Sequence, residues 1–207
     1  DEIVGASPDI SKQTFFFQLY CNQDRSIVEE IVKKAERLGC KVLCVTCDAP
    51  QLGRRERDMR EKLLDVSKAP KVDKDKYGKK YKKYKNKAGG VAQSISSFID
   101  PRLNWNDIKY FRKLTKMKLV LKGIQCWEDA IKAVEYGLDG IILSNHGGRQ
   151  LDYARSGIEI LYEVMDALNK YGMKDKIEVY IDGGIRRGTD IFKAIALGAK
   201  GVGIGRP

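Results

Sequence analysis

Ser144-Asn145-His146-Gly147-Gly148-Arg149-Gln150 follows directly on the apolar run Gly140-Ile141-Ile142-Leu143. It sets the single histidine of the chain three residues from an arginine, where a buried strand runs out. Imidazole is the side chain that naturally exchanges protons near neutral pH. A guanidinium grips a carboxylate through two parallel hydrogen bonds. Together they suit proton abstraction from a molecule that carries an acid group. The plainer alternative is a structural histidine beside a surface arginine. The two glycines weigh against it, because they thin the backbone so that something large can lie there.

Such groups need a frame, and the hydrophobic pattern supplies one. Six apolar, strand-like runs recur: Phe15 to Tyr20, Val42 to Cys47, Leu119 to Lys122, Gly140 to Ser144, Glu178 to Asp182 and Gly201 to Gly205. Between them lie stretches with the 3.6-residue helical period, at 25–38, 105–115, 127–136, 157–171 and 189–197. In the first of these, Ile27, Ile31, Ala35 and Leu38 form one stripe beside Val28 and Val32. Gly39, Gly137 and Gly198 each follow a helix, the place where a left-handed residue ends it cheaply. Alternating strands and helices with short connections predict a parallel sheet.

An open doubly wound sheet would gather its ligand at one switch point. A (β/α)8 barrel gathers polar residues at the C-terminal end of every strand. Here Gln18 and Tyr20, Thr46 and Asp48, Lys122, His146 and Arg149, Asp182, and Arg206 mark all six strand ends. The expectation is therefore an α/β (β/α)8 TIM barrel, present as about six of its eight strand–helix units. The missing two units are expected before Asp1 and a closing helix after Pro207, so 1–207 reads as a fragment of one barrel domain.

The formal charge of +11 is local rather than general. Ten lysines against Asp73 and Asp75 give Lys68–Lys87 a net +8, which leaves only +3 for the rest. A lysine-rich loop over 68–96, solvated and mobile, is expected from a segment with so few aliphatic residues. A tether to an acidic partner or an anionic membrane surface is its alternative use. Tyr77, Tyr81 and Tyr84 could stack on bases, but nothing else in the chain supports nucleic-acid binding. The five cysteines are irregularly spaced, and one histidine cannot complete a zinc site with Cys44-x-x-Cys47 in the usual way. Strand geometry points those two side chains to opposite faces, so buried, reduced thiols and no metal are expected.

At the last two strand ends stand Asp182-Gly183-Gly184-Ile185-Arg186-Arg187-Gly188 and Gly203-Ile204-Gly205-Arg206-Pro207. Loops after the seventh and eighth strands of a barrel are its usual phosphate site. With Lys122-Gly123 and the His146 motif, in this order, these segments resemble the FMN-dependent L-2-hydroxy acid oxidoreductases. Within that family the chain is most similar to the flavin domain of flavocytochrome-type L-lactate dehydrogenases, with glycolate oxidases next. The long charged loop, Phe98-Ile99-Asp100-Pro101 and the Lys174–Val179 approach carry the finer likeness.

The resemblance implies roles. His146 is the base that takes a proton from substrate while two electrons pass to the flavin; whether that proton leaves carbon or the hydroxyl stays open. Asp48 orients the imidazole, as the third group of a triad does. Arg149 and Arg55 hold the substrate carboxylate, and Tyr20 bonds the substrate. Lys122 lies at the N1–O2 edge of the flavin, and Gln18 and Thr46 read its pyrimidine edge. Asp182, Gly183, Gly184 and Arg186 hold the ribityl chain and phosphate, completed by Gly205 and Arg206.

By the same resemblance the cofactor is FMN, and haem is expected only in a separate domain, since one histidine cannot supply two axial imidazoles. The implied reaction is oxidation of L-lactate to pyruvate, with electrons passed to a haem domain or cytochrome c. A glycolate-type oxidase using O2 and a non-catalytic barrel remnant are the alternatives. A homo-oligomer, tetrameric in relatives, and the mitochondrial intermembrane space (or the peroxisome, for an oxidase) are likewise implied. Residues 1–207 alone are expected to hold FMN poorly and to turn over little.

Overall fold

The computed structural model describes residues 2–7, 9, 12–51, 53–56 and 98–207; the expected loop at 68–96 lies outside these. After a short helix α1 (Glu2–Gly5), five strand–helix pairs and a sixth strand follow. They are β1 (Phe16–Tyr20), α2 (Arg25–Arg37), β2 (Val42–Thr46), α3 (Asp107–Leu114), β3 (Lys118–Ile124) and α4 (Trp127–Glu135). Then come β4 (Gly140–Leu143), α5 (Gly157–Lys170), β5 (Glu178–Asp182), α6 (Gly188–Ala196) and β6 (Gly201–Gly203). All six strands are parallel and stand in the order of the chain.

Strand alternation splits the sheet into two faces. Leu19, Leu43, Val45, Leu119, Leu121, Ile141, Leu143, Val179 and Ile181 turn outward into one core with the helices. Those helices contribute Val28, Val32, Phe111, Ala130, Ile160, Leu161, Val164, Leu168 and Ala194. The other face carries a separate small cluster of Val42, Cys44 and Val120, with Ile142 against it. Cys44 faces inward while Cys47 packs on the helix side, as strand geometry requires. Burial pushes the Cys44 thiol up to about 11 and that of Cys47 up to about 12, so both stay protonated and inert at neutral pH.

The inner face is curved. Phe16 on β1 and Tyr180 on β5 meet edge to face, with ring centroids 5.8 Å apart. Strands four ladder steps apart in a flat sheet are separated by about 19 Å. The sheet is therefore six consecutive strands of a (β/α)8 barrel, and the Tyr180 ring lies in its interior beside Gly140 and Gly201.

Three details differ from the sequence pattern. On α2 the buried stripe is Val28, Val32 and Ala35, while Ile31 is 38% exposed, because the helix is rotated toward its valine side. Strand β3 does not stop at Lys122 but runs on to Ile124 through a register shift between Lys122 and Ile124. Strand β6 ends at Gly203, since β5, its one neighbour among the described residues, ends at the Asp182–Gly203 pair and offers residues 204–205 no ladder. The helix exits are as read: Gly39, Gly137 and Gly198 have φ of 92°, 69° and 105°.

Between α4 and β4, Asp139 accepts hydrogen bonds from Leu119 N (2.9 Å), Lys118 Nζ (2.9 Å) and Arg112 Nη2 (2.6 Å). Burial works against its charge, yet the Leu119 N–H, Lys118 and Arg112 together hold its carboxyl below the usual carboxylate range. A depressed carboxyl stabilises the fold above its unfolded pKa, and that contribution disappears as pH falls through the native one. Asp139→Asn is therefore expected to lower stability toward urea at pH 7. The gap to the parent should shrink below about pH 4, read from paired unfolding curves. A gap that widened in acid would contradict this sign.

Candidate active site

Five strand ends, those of β1 to β5, converge on one buried polar cluster. Asp48 stands just beyond β2, and since a carboxylate oxygen accepts, the imidazole of His146 donates its Nδ1–H to Oδ1 at 2.9 Å. That fixes the tautomer and leaves Nε2 as an acceptor, 3.1 Å from the Tyr20 hydroxyl on β1. The chain Asp48–His146–Tyr20 thus joins residues 98 and 126 positions apart in sequence.

Lys122 on β3 sits against both acidic strand ends. Its Nζ is 3.5 Å from Asp182 Oδ2 and 4.0 Å from Asp48 Oδ2. All these side chains are largely buried: 17% exposed for Lys122, 10% for Asp48, 23% for Asp182 and 12% for His146. With a neutral imidazole the two carboxylates outnumber the ammonium by one; a proton on His146 brings the group to formal neutrality. The arrangement can accept a proton without leaving an uncompensated buried charge.

The register shift in β3 is what lets Asp48 fit. Gly123 has φ +111°, and a Cβ there would fall 2.5 Å from Asp48 Cβ and 2.9 Å from its backbone nitrogen. Only glycine allows so close an approach. On β1 and β2, Gln18 Nε2 donates to Thr46 Oγ1 at 2.6 Å, placing two polar side chains next to Lys122 on the inner face.

The histidine itself stands on a single turn, His146–Gly148, whose φ angles are 59°, 64° and 69°. Ser144, fully buried, holds this turn: its Oγ accepts from His146 N (3.0 Å) and from Lys122 Nζ (3.0 Å). Asn145 Oδ1 accepts from Gly148 N at 3.0 Å, and Arg206 Nη2 donates to Gly147 O at 2.8 Å. Sequence reasoning missed the part played by Ser144, which had a readable signal, since a hydroxyl in phase with Gly140 and Ile142 must face inward.

The predicted residues fall into three groups. Tyr20, Asp48, Lys122, His146 and Asp182 form the cluster, with Gln18 and Thr46 beside it. Arg149 and Arg55 lie on the rim: Arg149 is exposed, and Arg55 Nε donates to the Arg149 carbonyl at 3.0 Å. Gly183, Gly184, Arg186, Gly205 and Arg206 form the loops after β5 and β6. Just before α6, Asp190 Oδ2 accepts from Arg186 N and Arg187 N, both at 2.9 Å, and so fixes the end of the loop that follows β5.

Residues 2–207 match the FMN-dependent dehydrogenase family. The chain belongs to that family. It is 50% identical over 207 residues to the L-lactate dehydrogenase (cytochrome) of Saccharomyces cerevisiae, which covers all of this chain and 34% of that protein. It is 42% identical over 212 residues to glycolate oxidase 3 of Arabidopsis thaliana, covering 54% of it. The flavin-binding domain of baker's yeast flavocytochrome b2 superposes with a TM-score of 0.82 at 48% identity, over all of this chain and 45% of that one. The chain thus spans between a third and about half of these FMN-dependent dehydrogenase relatives.

FMN, the group of this family, fits the residues present. A Cβ at Gly184 or Gly205 would meet nothing within 4 Å, so the backbone of both loops is open to a phosphate. Asp182 Oδ1 is a buried acceptor without a hydrogen-bond partner among the described residues, suited to a ribityl hydroxyl. Gln18, Thr46 and Lys122 supply the donors and acceptors that a flavin edge needs.

Gly123→Ala is expected to destabilise more than Gly137→Ala. The latter suffers only its left-handed φ, about 1 kcal/mol, because nothing lies within 4 Å of the added methyl. Gly123→Ala carries the same backbone strain and drives Asp48 away. Denaturant midpoints of the two variants check the order, and equal losses would contradict it.

Proposed function

We propose that these residues form the acid–base and cofactor-holding part of an FMN-binding barrel domain that oxidises an L-2-hydroxy acid, L-lactate to pyruvate. The electrons then pass through a haem domain to cytochrome c, in the mitochondrial intermembrane space. The single observation that carries the chemistry is the Asp48–His146–Tyr20 hydrogen-bond chain ending beside Lys122. The choice of lactate and of a cytochrome acceptor is supported by 50% identity to a cytochrome-linked L-lactate dehydrogenase against 42% to a glycolate oxidase.

In this reading His146 Nε2 takes the proton, from the α-carbon or the hydroxyl of the substrate. Asp48 keeps Nδ1 protonated and stabilises the imidazolium that results. Tyr20 hydrogen-bonds the reacting oxygen. Arg149 and Arg55 hold the substrate carboxylate in a geometry that lysine cannot copy. Bound FMN would accept the two electrons together with the second hydrogen that the hydroxy acid loses in becoming a keto acid, the first having gone to His146 as a proton. Lys122 offsets the negative charge that this transfer brings to the site. Gln18 and Thr46 hold the flavin edge, while Asp182, Gly183, Gly184, Arg186, Gly205 and Arg206 hold the ribityl phosphate.

Anaerobic L-lactate is expected to bleach the flavin absorption of the full-length protein, and cytochrome c to recover it. His146→Gln should slow the bleaching by about 10²- to 10⁴-fold while flavin content stays that of the parent. Bleaching by glycolate with peroxide as the product would replace the substrate and acceptor named here by those of an oxidase. No bleaching by any 2-hydroxy acid would refute the reading altogether.

A further inference from the structure

Two loops that carry different parts of the site are joined by one side chain that no role above uses. The loop after β2 bears Asp48 and Arg55; the turn after β4 bears His146 and Arg149. Between them lies the amide of Gln150. Its Nε2 donates to the carbonyls of Asp48 and Gln51, each at 2.9 Å. Its Oε1 accepts from Gly53 N at 3.2 Å and from Arg55 Nη2 at 3.3 Å. A primary amide has two N–H donors and two acceptor lone pairs, so all four are committed, and all four to the same neighbouring loop.

The backbones of the two loops also touch. A Cβ on Gly53 would lie 2.3 Å from the Arg149 carbonyl oxygen and 2.8 Å from Gln150 Cα. Residue 53 can therefore be nothing larger than glycine while the loops stay seated. Arg55 adds its Nε bond to the Arg149 carbonyl, so its guanidinium is oriented from the far loop at two points.

We propose that Gln150 is a positioning residue that sets the Asp48–His146 pair and the Arg55–Arg149 pair relative to one another. The inference rests on the functional reading above and adds a role to it: Gln150 touches neither substrate nor flavin but fixes the loop that carries Asp48 and Arg55. Its amide grips the Asp48 carbonyl, so the carboxylate of the same residue is held against the imidazole. It also steers Arg55 toward the rim where the substrate carboxylate docks. A placement error near 1 Å at such groups costs about 10²-fold in rate.

The test uses the full-length flavoprotein and two variants. Gln150→Met keeps the length and loses all four bonds; Gly53→Ala pries the same contact apart from the other loop. In both, the rate of anaerobic flavin bleaching by L-lactate at saturation is expected to fall by about 10- to 100-fold, and KM for L-lactate to rise several-fold. The primary isotope effect with 2-deuterated L-lactate on steady-state kcat should increase as the chemical step becomes limiting. Flavin content and its absorption spectrum should match the parent. A merely structural role would lower the melting temperature while leaving the flavin-loaded fraction with the parent's kcat, KM and isotope effect, and that result overturns the inference. A parent protein that no 2-hydroxy acid reduces overturns the functional reading, and this inference with it.

Discussion

The burial of Lys122 between Asp48 and Asp182 is the constraint on which the rest depends. Ionised groups taken out of water must be paired, or the fold carries several kcal/mol of desolvation for each, about 3–5 kcal/mol when one partner of a buried pair is lost. Here the ammonium comes from β3, one carboxylate from the end of β2 and the other from β5. None of the three is tolerable at its position without the others. The sheet must therefore curve enough to bring β5 round to β3, and the Phe16–Tyr180 contact across the interior shows that it does. Function and stability make the same demand on these side chains.

Curvature alone would not suffice, because Asp48 stands in the path of β3. The strand yields by a register shift at Gly123, where the missing side chain leaves room for the Asp48 carboxylate. The hydroxyl of Ser144 then ties Lys122 to the backbone of His146. Strand, acid, base and cation form one connected set of bonds, so displacing any one of them disturbs the others.

Much of this was legible in the sequence, for physical reasons that also mark where legibility stops. Alternating apolar residues and helix-ending glycines depend on local geometry alone, and elements β1 to β6 and α2 to α6 appear where those patterns lie. The rotation of α2 depends on what packs against it, so Ile31 was assigned to the wrong side of its stripe. The polar residues at strand ends could be read as a site because a barrel gathers such positions on one rim. The resemblance to a known family then gave each its role. Pairings between strands were not legible. Nothing in Gln150 or Ser144 as isolated letters says that one amide will satisfy four groups, or that one hydroxyl will join a lysine to a histidine backbone.

The turn that carries His146 is itself held in a strained conformation. Three consecutive residues at positive φ are unusual, and for a residue with a side chain such a conformation costs about 1–3 kcal/mol. The cost is sustained because the turn is held from several directions. Ser144 takes the His146 N–H, Asn145 takes the Gly148 N–H, and Arg206 reaches from beyond β6 to the Gly147 carbonyl. With its backbone in the left-handed region, His146 has its imidazole hydrogen-bonded to Asp48. The two glycines that follow let the chain complete the reversal without adding strain of their own. The same turn also meets Arg206, a residue of the loop after β6, so the orientation of the imidazole is tied to that loop. The imidazole and the loop after β6 are thus linked through the carbonyl of Gly147.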